Sequence, residues 1–404
     1  MKPFKIRSHF TFLFILFLLQ GLLSCNPGGD QYAGGGIGGT GVISTGTVTE
    51  IGSVWVNGIE FDTREANIYA NGTLKGRGDG AVASSIRPGQ VVRVNGSLSG
   101  DGSGHAEAVY YFSILSGPIR EINQVGKYDF ILNILGQDVI ANEETQLQGA
   151  TLELLEPGNL MDISGFIDDQ GNIQASFMEK KADAPNPDDR LFISGVIGDL
   201  NENNKTFMIN TFPVHYENTS LGGPLQEGLE NGMWIQGSGQ LESDGEAFLA
   251  ETLNPLDRLE NDQGNQVAIE GVIRTDLLEN RFFVEGYAIE VNSETLFENG
   301  EREEILAGSR IEAEGRFSGG VLVAARIKFI FGFKFQAEII EIDPVNQTLK
   351  LEGLEEVSLE INSLTRFRGQ AKSFEELGVG DQVMIRGRFV EENTLVAAQI
   401  VKKP

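Results

Sequence analysis

Five segments of this chain begin and end with a glycine, the two glycines lying seven positions apart around an alternating apolar stretch. The framed segments are GQVVRVNG (Gly89–Gly96), GNLMDISG (Gly158–Gly165), GMWIQGSG (Gly232–Gly239), GSRIEAEG (Gly308–Gly315) and GDQVMIRG (Gly380–Gly387). Successive first glycines are 69, 74, 76 and 72 residues apart. A repeat of this length is too long for a solenoid and suits a small domain with its own core.

Two other residues recur at fixed places in the copies. A threonine ends a strand upstream of the glycine pair at Thr145, Thr219, Thr295 and Thr365, with Ala66 in its place in the first copy. An alanine follows the second glycine by ten to twelve residues at Ala108, Ala175, Ala250, Ala325 and Ala398. We expect the first glycine to need a positive φ and the second to mark a bulge or tight turn. We expect the alanine to face a crowded barrel interior.

Each copy has the pattern of three strands, a short helical turn and two more strands, which is the order of an OB-fold barrel. In the last copy, Ser373 and Glu376 have the spacing of a capping box for a single turn of helix. The predicted fold class is therefore all-β, with five tandem small OB-like five-stranded barrels. The predicted boundaries are 46–113, 114–185, 186–261, 262–331 and 332–404, with polar linkers at 183–190 and 254–266.

The N-terminal residues have the features of an export signal. Three basic residues precede the mostly apolar stretch Phe10–Leu23, which is followed by Ser24 and Cys25. The sequence Leu22-Leu23-Ser24-Cys25 resembles the lipobox of bacterial lipoproteins, in which the cysteine thiol is lipidated. We therefore predict a signal peptide at 1–24, lipidation of Cys25 and a glycine-rich tether at 25–45. The alternative is an ordinary secretory signal with an incidental cysteine, and Asn26 favours the outer membrane over the inner one.

The segment Gly36–Gly41 matches G-x-G-x-x-G, a pattern that binds dinucleotides when it connects a strand to a helix. No strand pattern precedes it, and the residues after it have the composition of strands. We interpret it as a spacer and expect no cofactor.

Composition limits the chemistry that is open to this chain. Its 58 acidic and 31 basic residues give a formal charge of −27, which repels nucleic acid and anionic lipid headgroups. We therefore expect contact with the membrane only through the lipid anchor, and no nucleic-acid partner. Cys25 is the only cysteine, and the histidines are His9, His105 and His215. The chain therefore has almost no residues from which to build a histidine-based zinc site or a Ser–His–Asp triad.

Two polar segments have a calcium-like composition, DDQGN at 168–172 and NENNK at 201–205. Neither has the ligand spacing of an EF-hand, and both lie where a hairpin turn is expected. We predict ordinary turns there, no metal site and no catalytic residue.

Strand alternation predicts three large apolar residues on outward positions: Trp55 and Phe283 in second strands and Trp234 in a fourth strand. Strands two and three form the usual ligand face of OB-folds. These residues are our candidate ligand-binding residues, as an aromatic platform for a sugar or peptide chain. Packing against a neighbouring domain, or an isolated exposed aromatic without a role, are the alternatives.

The chain also resembles an uncharacterised bacterial family, the domain of unknown function 5666, found singly or in tandem in exported proteins. The resemblance rests on the glycine spacer with the following strand and VNG hairpin at 35–63, and on FEELGVGDQVMIRGRF at 374–389. It implies an OB-like barrel and a setting in the cell envelope, and it implies no activity.

These observations favour a non-catalytic, lipid-anchored envelope protein. Its string of OB-like domains would act as binding or spacer modules for an envelope polysaccharide or protein. The alternative is a carboxylate-based envelope hydrolase, although 58 carboxylates offer no way to choose a catalytic pair.

Overall fold

The computed structural model describes residues 41–256 and 266–403. These residues form 31 strands, one α-helix and four short 3-10 turns, arranged in five consecutive closed barrels. Within the described ranges, no helix is both long and apolar enough to cross a membrane.

The first two barrels run from Gly41 to Ala182. Barrel 1 contains β1 (Gly41–Thr47), β2 (Val54–Val56), β3 (Ile59–Asp62), β4 (Asn67–Ala70), β5 (Thr73–Arg77), α1 (Asp79–Ser85), β6 (Val91–Leu98) and β7 (Gly104–Tyr111). Barrel 2 contains β8 (Leu115–Gln124), β9 (Phe130–Ile134), β10 (Gln137–Ala141), β11 (Gln146–Gln148), a 3-10 turn (Leu152–Leu154), β12 (Leu160–Ile167) and β13 (Ile173–Ala182).

The other three barrels follow the plan of barrel 2. Barrel 3 contains β14 (Leu191–Asn201), β15 (Thr206–Ile209), β16 (Phe212–His215), β17 (Ser220–Leu221), a 3-10 turn (Gly223–Glu227), β18 (Trp234–Leu241) and β19 (Phe248–Pro255). Barrel 4 contains β20 (Gln266–Val272), β21 (Arg281–Val284), β22 (Tyr287–Glu290), β23 (Leu296–Glu298), a 3-10 turn (Arg302–Glu304), β24 (Arg310–Ser318) and β25 (Val321–Ile330). Barrel 5 contains β26 (Phe333–Asp343), β27 (Thr348–Leu351), β28 (Ser358–Glu360), β29 (Arg366–Gly369), a 3-10 turn (Phe374–Glu376), β30 (Gln382–Glu391) and β31 (Thr394–Lys402).

Barrel 4 shows how each barrel closes. Strand β20 pairs with β24, β24 with β25, β25 with β22 and β22 with β21, and a bridge between Ile273 and Val284 joins the last strand to the first. The third strand pairs in parallel with the fifth, whereas the other pairs are antiparallel. This mixed pairing is the OB arrangement. The all-β prediction of tandem OB-like barrels is confirmed.

The third strand of barrels 2, 4 and 5 is broken in two by a turn of sequence Asn-x-x-Thr. In barrel 4 the Thr295 hydroxyl accepts the Asn292 N–H at 2.9 Å and donates to the Ala324 carbonyl oxygen at 2.8 Å. Both halves, β22 and β23, then pair in parallel with β25. The recurring threonine thus lets one strand bend around the barrel without losing its partner strand.

The two glycines of each repeat have the backbone roles that the sequence predicts. The first has φ between 86° and 95° in all five barrels, a conformation that costs other residues energy. The second lies at a β-bulge between strands four and five in all five barrels. A Cβ added there would collide with the carbonyl oxygen of the opposing strand. The bulge is in the body of the strand and not at its end.

The prediction that Ala325 and Ala398 face a barrel interior is wrong. At the bulge, Gly315 lies opposite Ala324 and Glu314 lies opposite Arg326, so Ala325 is the unpaired extra residue. Ala325 is exposed, whereas Ala324 is buried. The residues that face the second glycine in the five barrels are Ala106, Ala175, Ala250, Ala324 and Ala397. The bulge shifts the inward and outward alternation of the fifth strand by one residue. The spacing of residues in the sequence does not show this shift.

The five barrels do not form a linear string. Strand β1 of barrel 1 pairs in parallel with β20 of barrel 4, and β8 of barrel 2 pairs with β14 of barrel 3. One apolar core runs through barrels 2 and 3, while barrel 5 has a sheet and a core of its own. The sequence left the arrangement of the barrels open, and the structure shows that strand edges pair between barrels.

Strand β1 also corrects the predicted boundary of the tether, which was placed at 25–45. Within that range, Gly41 and the four residues after it belong to β1. Val42 packs in the core of barrel 1 and Ile43 in the core of barrel 4. This double burial makes the segment part of the fold, although its glycine-rich surroundings resemble a spacer.

Candidate functional site

The three aromatic candidates lie on strands of three different barrels. Trp55 on β2 is half-buried, and Phe283 on β21 is 46% exposed. Trp234 on β18 is half-buried, and the Arg274 guanidinium of barrel 4 lies 4.7 Å from its ring centroid. None of the ring contacts among the described residues joins two of the three. Trp234 thus contacts a neighbouring barrel, and the ligand role of Trp55, Trp234 and Phe283 stays a prediction.

Cys25, the predicted lipidation site, lies outside the described residues, as do the signal segment and residues 25–40. The two calcium-like segments are hairpin turns, as predicted, between β12 and β13 and between β14 and β15. Asp168 in the first of them is fully buried, and its Oδ1 accepts the N–H groups of Gln170 and Asn172. No group of three or more potential metal ligands occurs among the residues that the structure describes.

A cavity of about 940 Å³ lies where barrels 1, 2, 4 and 5 meet. Six basic side chains are on its wall: Arg310, Arg366, Arg368, Lys372, Arg386 and Arg388. Two acidic ones, Asp129 and Glu144, share the wall. Such a concentration of positive charge contrasts with the formal charge of −27 for the whole chain.

Strand alternation places four of these arginines on one outer face of barrel 5. Arg366 and Arg368 are two residues apart on β29, and Arg386 and Arg388 are two residues apart on β30. Strand β31 lies between them, and its Gln399 is paired with both Arg366 and Arg386. The alternate residues of β30, such as Ile385, fill the barrel core, so the arginines must point outward to the cavity side.

Arg386 is the most deeply buried member, with a 4% exposed side chain. Its Nη1 donates to Ser309 Oγ at 2.9 Å and to Gln399 Oε1 at 3.2 Å. The guanidinium carbon lies 5.1 Å and 4.7 Å from the ring centroids of Phe329 and Phe331. Burial lowers the pKa of Arg386, and the Glu304 carboxylate, 3.3 Å from Nη2, opposes that shift. Arg386 is thus a rigidly held cation with little contact with solvent.

The other three arginines connect barrel 5 to barrels 2 and 4. Arg388 donates to Asp129 Oδ1 at 2.6 Å. Arg366 pairs with Asp168 at 2.8 Å and also with Asp169. Arg368 donates to the carbonyl oxygen of Ala307 at 3.0 Å. These contacts hold the arginines in fixed positions.

Several nitrogen atoms of this cluster are nevertheless unsatisfied. Arg368, Arg386 and Arg388 each have a buried Nε without a hydrogen-bond partner, while Nη2 of Arg386 has only its ion pair with Glu304 at 3.3 Å. A buried donor of a charged group that lacks an acceptor is costly, so this arrangement calls for an explanation. These residues are not among the candidates that the sequence predicts. The available signal was the Arg-x-Arg pattern that occurs twice in the last repeat, at Arg366 to Arg368 and Arg386 to Arg388.

Arg310 joins three barrels at the opposite wall of the cavity. It pairs with the buried Glu270 of barrel 4 at 2.5 Å and donates to Thr47 Oγ1 of barrel 1 at 2.9 Å. Its guanidinium carbon lies 4.8 Å from the Phe166 ring centroid of barrel 2. The Thr47 N–H also donates to Glu270, at 2.7 Å. This network fixes the position of barrel 1 against barrel 4.

A buried carboxyl group, that of Glu285, lies near the contact of barrels 2 and 4. Burial raises the pKa of Glu285 to about 8, although the positive charge of Arg274 opposes the shift. Glu285 Oε1 is buried and has no hydrogen-bond partner. The two residues lie outside the cavity wall as described above.

The comparisons with known proteins identify the domain but no activity. No curated protein matches the chain. Among solved structures it is similar to a Drosophila protein described as "drosophila Unr CSD456", at 14% identity over 52% of this chain and 96% of that chain. The TM-score of 0.13 is too low for that likeness to support any argument.

A family model matches four segments of the chain, at 40–109, 116–179, 263–328 and 338–401. These segments cover most of barrels 1, 2, 4 and 5, which are the four barrels around the cavity. Tandem domains of this kind fit a binding or spacer module. The chain belongs to the family described as "Domain of unknown function (DUF5666)".

Proposed function

We propose that this chain is a non-catalytic, lipid-anchored protein of the bacterial cell envelope whose barrels together form a binding module for an envelope polysaccharide or protein. The lipidated residue would be Cys25, and Asn26 after it favours the outer membrane. The observation that carries the binding role is the cavity shared by four barrels. A spacer needs no such cavity, whereas concave sites with a few convergent polar groups are typical of ligand binding.

A non-catalytic role is favoured by the state of the carboxylates on the cavity wall. Asp129 Oδ1 accepts from Arg388 at 2.6 Å, and its Oδ2 accepts from Asn362 Nδ2 at 3.1 Å. Glu144 is the other carboxylate among the described lining residues. General acid–base hydrolysis of a glycoside needs two carboxylates that face the substrate. The engagement of both Asp129 oxygens supports a structural role.

The lipid anchor is tested by growing cells with radiolabelled palmitate. We expect label in the wild-type protein and none in Cys25→Ser. Normal labelling of the variant would contradict the anchor.

The binding role is tested by capture from an envelope extract with the mature chain. Ala398 lines the cavity, is exposed and is the unpaired bulge residue of barrel 5, so Ala398→Trp would place a bulky side chain in the cavity and keep every arginine. Ala325 is the exposed, unpaired bulge residue of barrel 4, so Ala325→Trp is the matched control. We expect wild type and the control to capture the same material and Ala398→Trp to lose it. Equal capture by all three would contradict the cavity as the binding site.

A further inference from the structure

We propose that the arginine face of barrel 5 binds a phosphate group of the ligand, through Arg368, Arg386 and Arg388. This inference rests on the proposed binding role of the cavity and names the chemistry of what enters it. Such a phosphate group could be carried by a small molecule or by an envelope polymer.

The cavity wall has more basic than acidic side chains. The carboxylates that pair with Arg310, Arg366 and Arg386, namely Glu270, Asp168 and Glu304, do not line the cavity, whereas the three arginines do. An entering molecule would therefore meet six basic and two acidic side chains. The wall thus presents more basic than acidic side chains, which favours an anion over a cation.

The three arginines of the proposed site are held in place by fixed contacts, and some of their hydrogen-bond donors have no acceptor. Each of the three holds at least one fixed contact, to Ala307, Ser309 or Asp129. Each also has a buried Nε without a hydrogen-bond partner, and the Arg386 side chain is only 4% exposed. A cation fixed by one side of its guanidinium pays little conformational entropy when an anion binds the other side.

The number of donors on the three arginines favours a phosphate over a carboxylate. The three arginines together hold three Nε–H groups without a partner. A carboxylate has two oxygens and one charge, while a phosphate monoester has three terminal acceptor oxygens and close to two charges. Phosphate thus matches this number of donors and charges better, and arginine forks are well suited to it.

The test is titration calorimetry of the mature chain with inorganic pyrophosphate, and with citrate as a carboxylate of similar charge. Arg388→Gln removes one member of the site. Its matched control is Arg316→Gln, because Arg316 follows the second glycine of barrel 4 as Arg388 follows that of barrel 5, and Arg316 is exposed and lies off the cavity wall.

We expect one equivalent of pyrophosphate to bind, more tightly than citrate. Loss of one charge-assisted contact should weaken binding by about 10-fold or more in Arg388→Gln, and Arg316→Gln should stay close to wild type. Ala398→Trp, which keeps all the arginines, should abolish binding while its circular dichroism spectrum is unchanged.

Three results would overturn the proposal: absence of binding to wild type, equal losses in the Arg388 and Arg316 variants, or citrate binding as tightly as pyrophosphate. A capture experiment with added pyrophosphate separates this inference from the proposed function. If pyrophosphate binds at the cavity but no envelope material is ever captured, the phosphate site stands and the envelope-binding role fails. If material is captured through the cavity but pyrophosphate does not bind, the binding role stands and the phosphate site fails.

Discussion

The hydroxyl of Thr295 donates a hydrogen bond to the carbonyl oxygen of Ala324, 29 residues later in the chain, at 2.8 Å. The same bond occurs in three other barrels, from Thr145 to Ala175 at 2.9 Å, from Thr219 to Ala250 at 2.5 Å and from Thr365 to Ala397 at 2.7 Å. It joins the turn that divides the third strand to the bulge in the fifth strand. The two most regular features of the repeats are therefore two ends of one interaction.

Replacement of Thr295 by valine should destabilise barrel 4. Valine has nearly the same shape but leaves the carbonyl of Ala324 and the N–H of Asn292 without their partner in a buried place. We expect a loss of about 1–3 kcal/mol in the local opening free energy, measured by hydrogen exchange in β22 to β25. Thr295→Ser, which keeps the hydroxyl, should lose clearly less. Similar losses in the two variants would contradict a dominant contribution of the hydroxyl hydrogen bonds.

Leucine at Ala324 should cost more than leucine at Ala325. Ala324 is 2% exposed and faces the backbone of Gly315, so a larger side chain must displace the core, at about 1–3 kcal/mol. Ala325 is exposed on the bulge, and the same change there should stay within about 0.5 kcal/mol. Hydrogen exchange of β24 and β25 measures both. A larger cost at Ala325 would mean that the bulge is placed one residue away.

Stability should fall as pH rises because of Glu285. Burial raises the pKa of this carboxyl from its ordinary 4.5 to about 8, so between these values the folded protein holds a proton that the unfolded chain has lost. Stability therefore declines with increasing pH over that interval. We expect the melting temperature of Glu285→Gln to decline less between pH 5 and pH 9 than that of wild type. Parallel pH profiles for the two proteins would contradict this assignment.

Barrel 5 should fold when it is expressed alone as residues 333–404, whereas barrel 3 alone should not. Barrel 5 has its own six-stranded sheet and its own core, which includes Ile339, Leu349 and Ile385. The core of barrel 3 is continuous with that of barrel 2. Circular dichroism with urea denaturation should show a β-type spectrum and a cooperative transition for barrel 5. A disordered barrel 5 would show that even this barrel depends on its neighbours.

The sequence alone determined the parts of this fold that depend on local backbone requirements. The first glycine of each repeat needs a positive φ wherever the repeat is placed, and the structure has this φ in all five copies. Alternation in the second and fourth strands places pairs such as Phe282 with Val284 and Ile311 with Ala313 on the inner face, and these residues are buried in the structure. These features recur because each barrel must satisfy the same constraint.

Only the tertiary structure decided which residues face the core after the bulge and which residues form the cavity. Ala325 and Ala324 differ by one position, and the choice between them depends on pairing with Gly315 in another strand. Arg386 and Arg388 have the outward alternation of ordinary surface residues, and they line the cavity because barrels 2 and 4 pack over them. That packing follows from edge pairing such as β1 with β20, between segments more than 200 residues apart. Periodicity within a repeat contains no information about which repeats contact each other, so it could not predict the cavity.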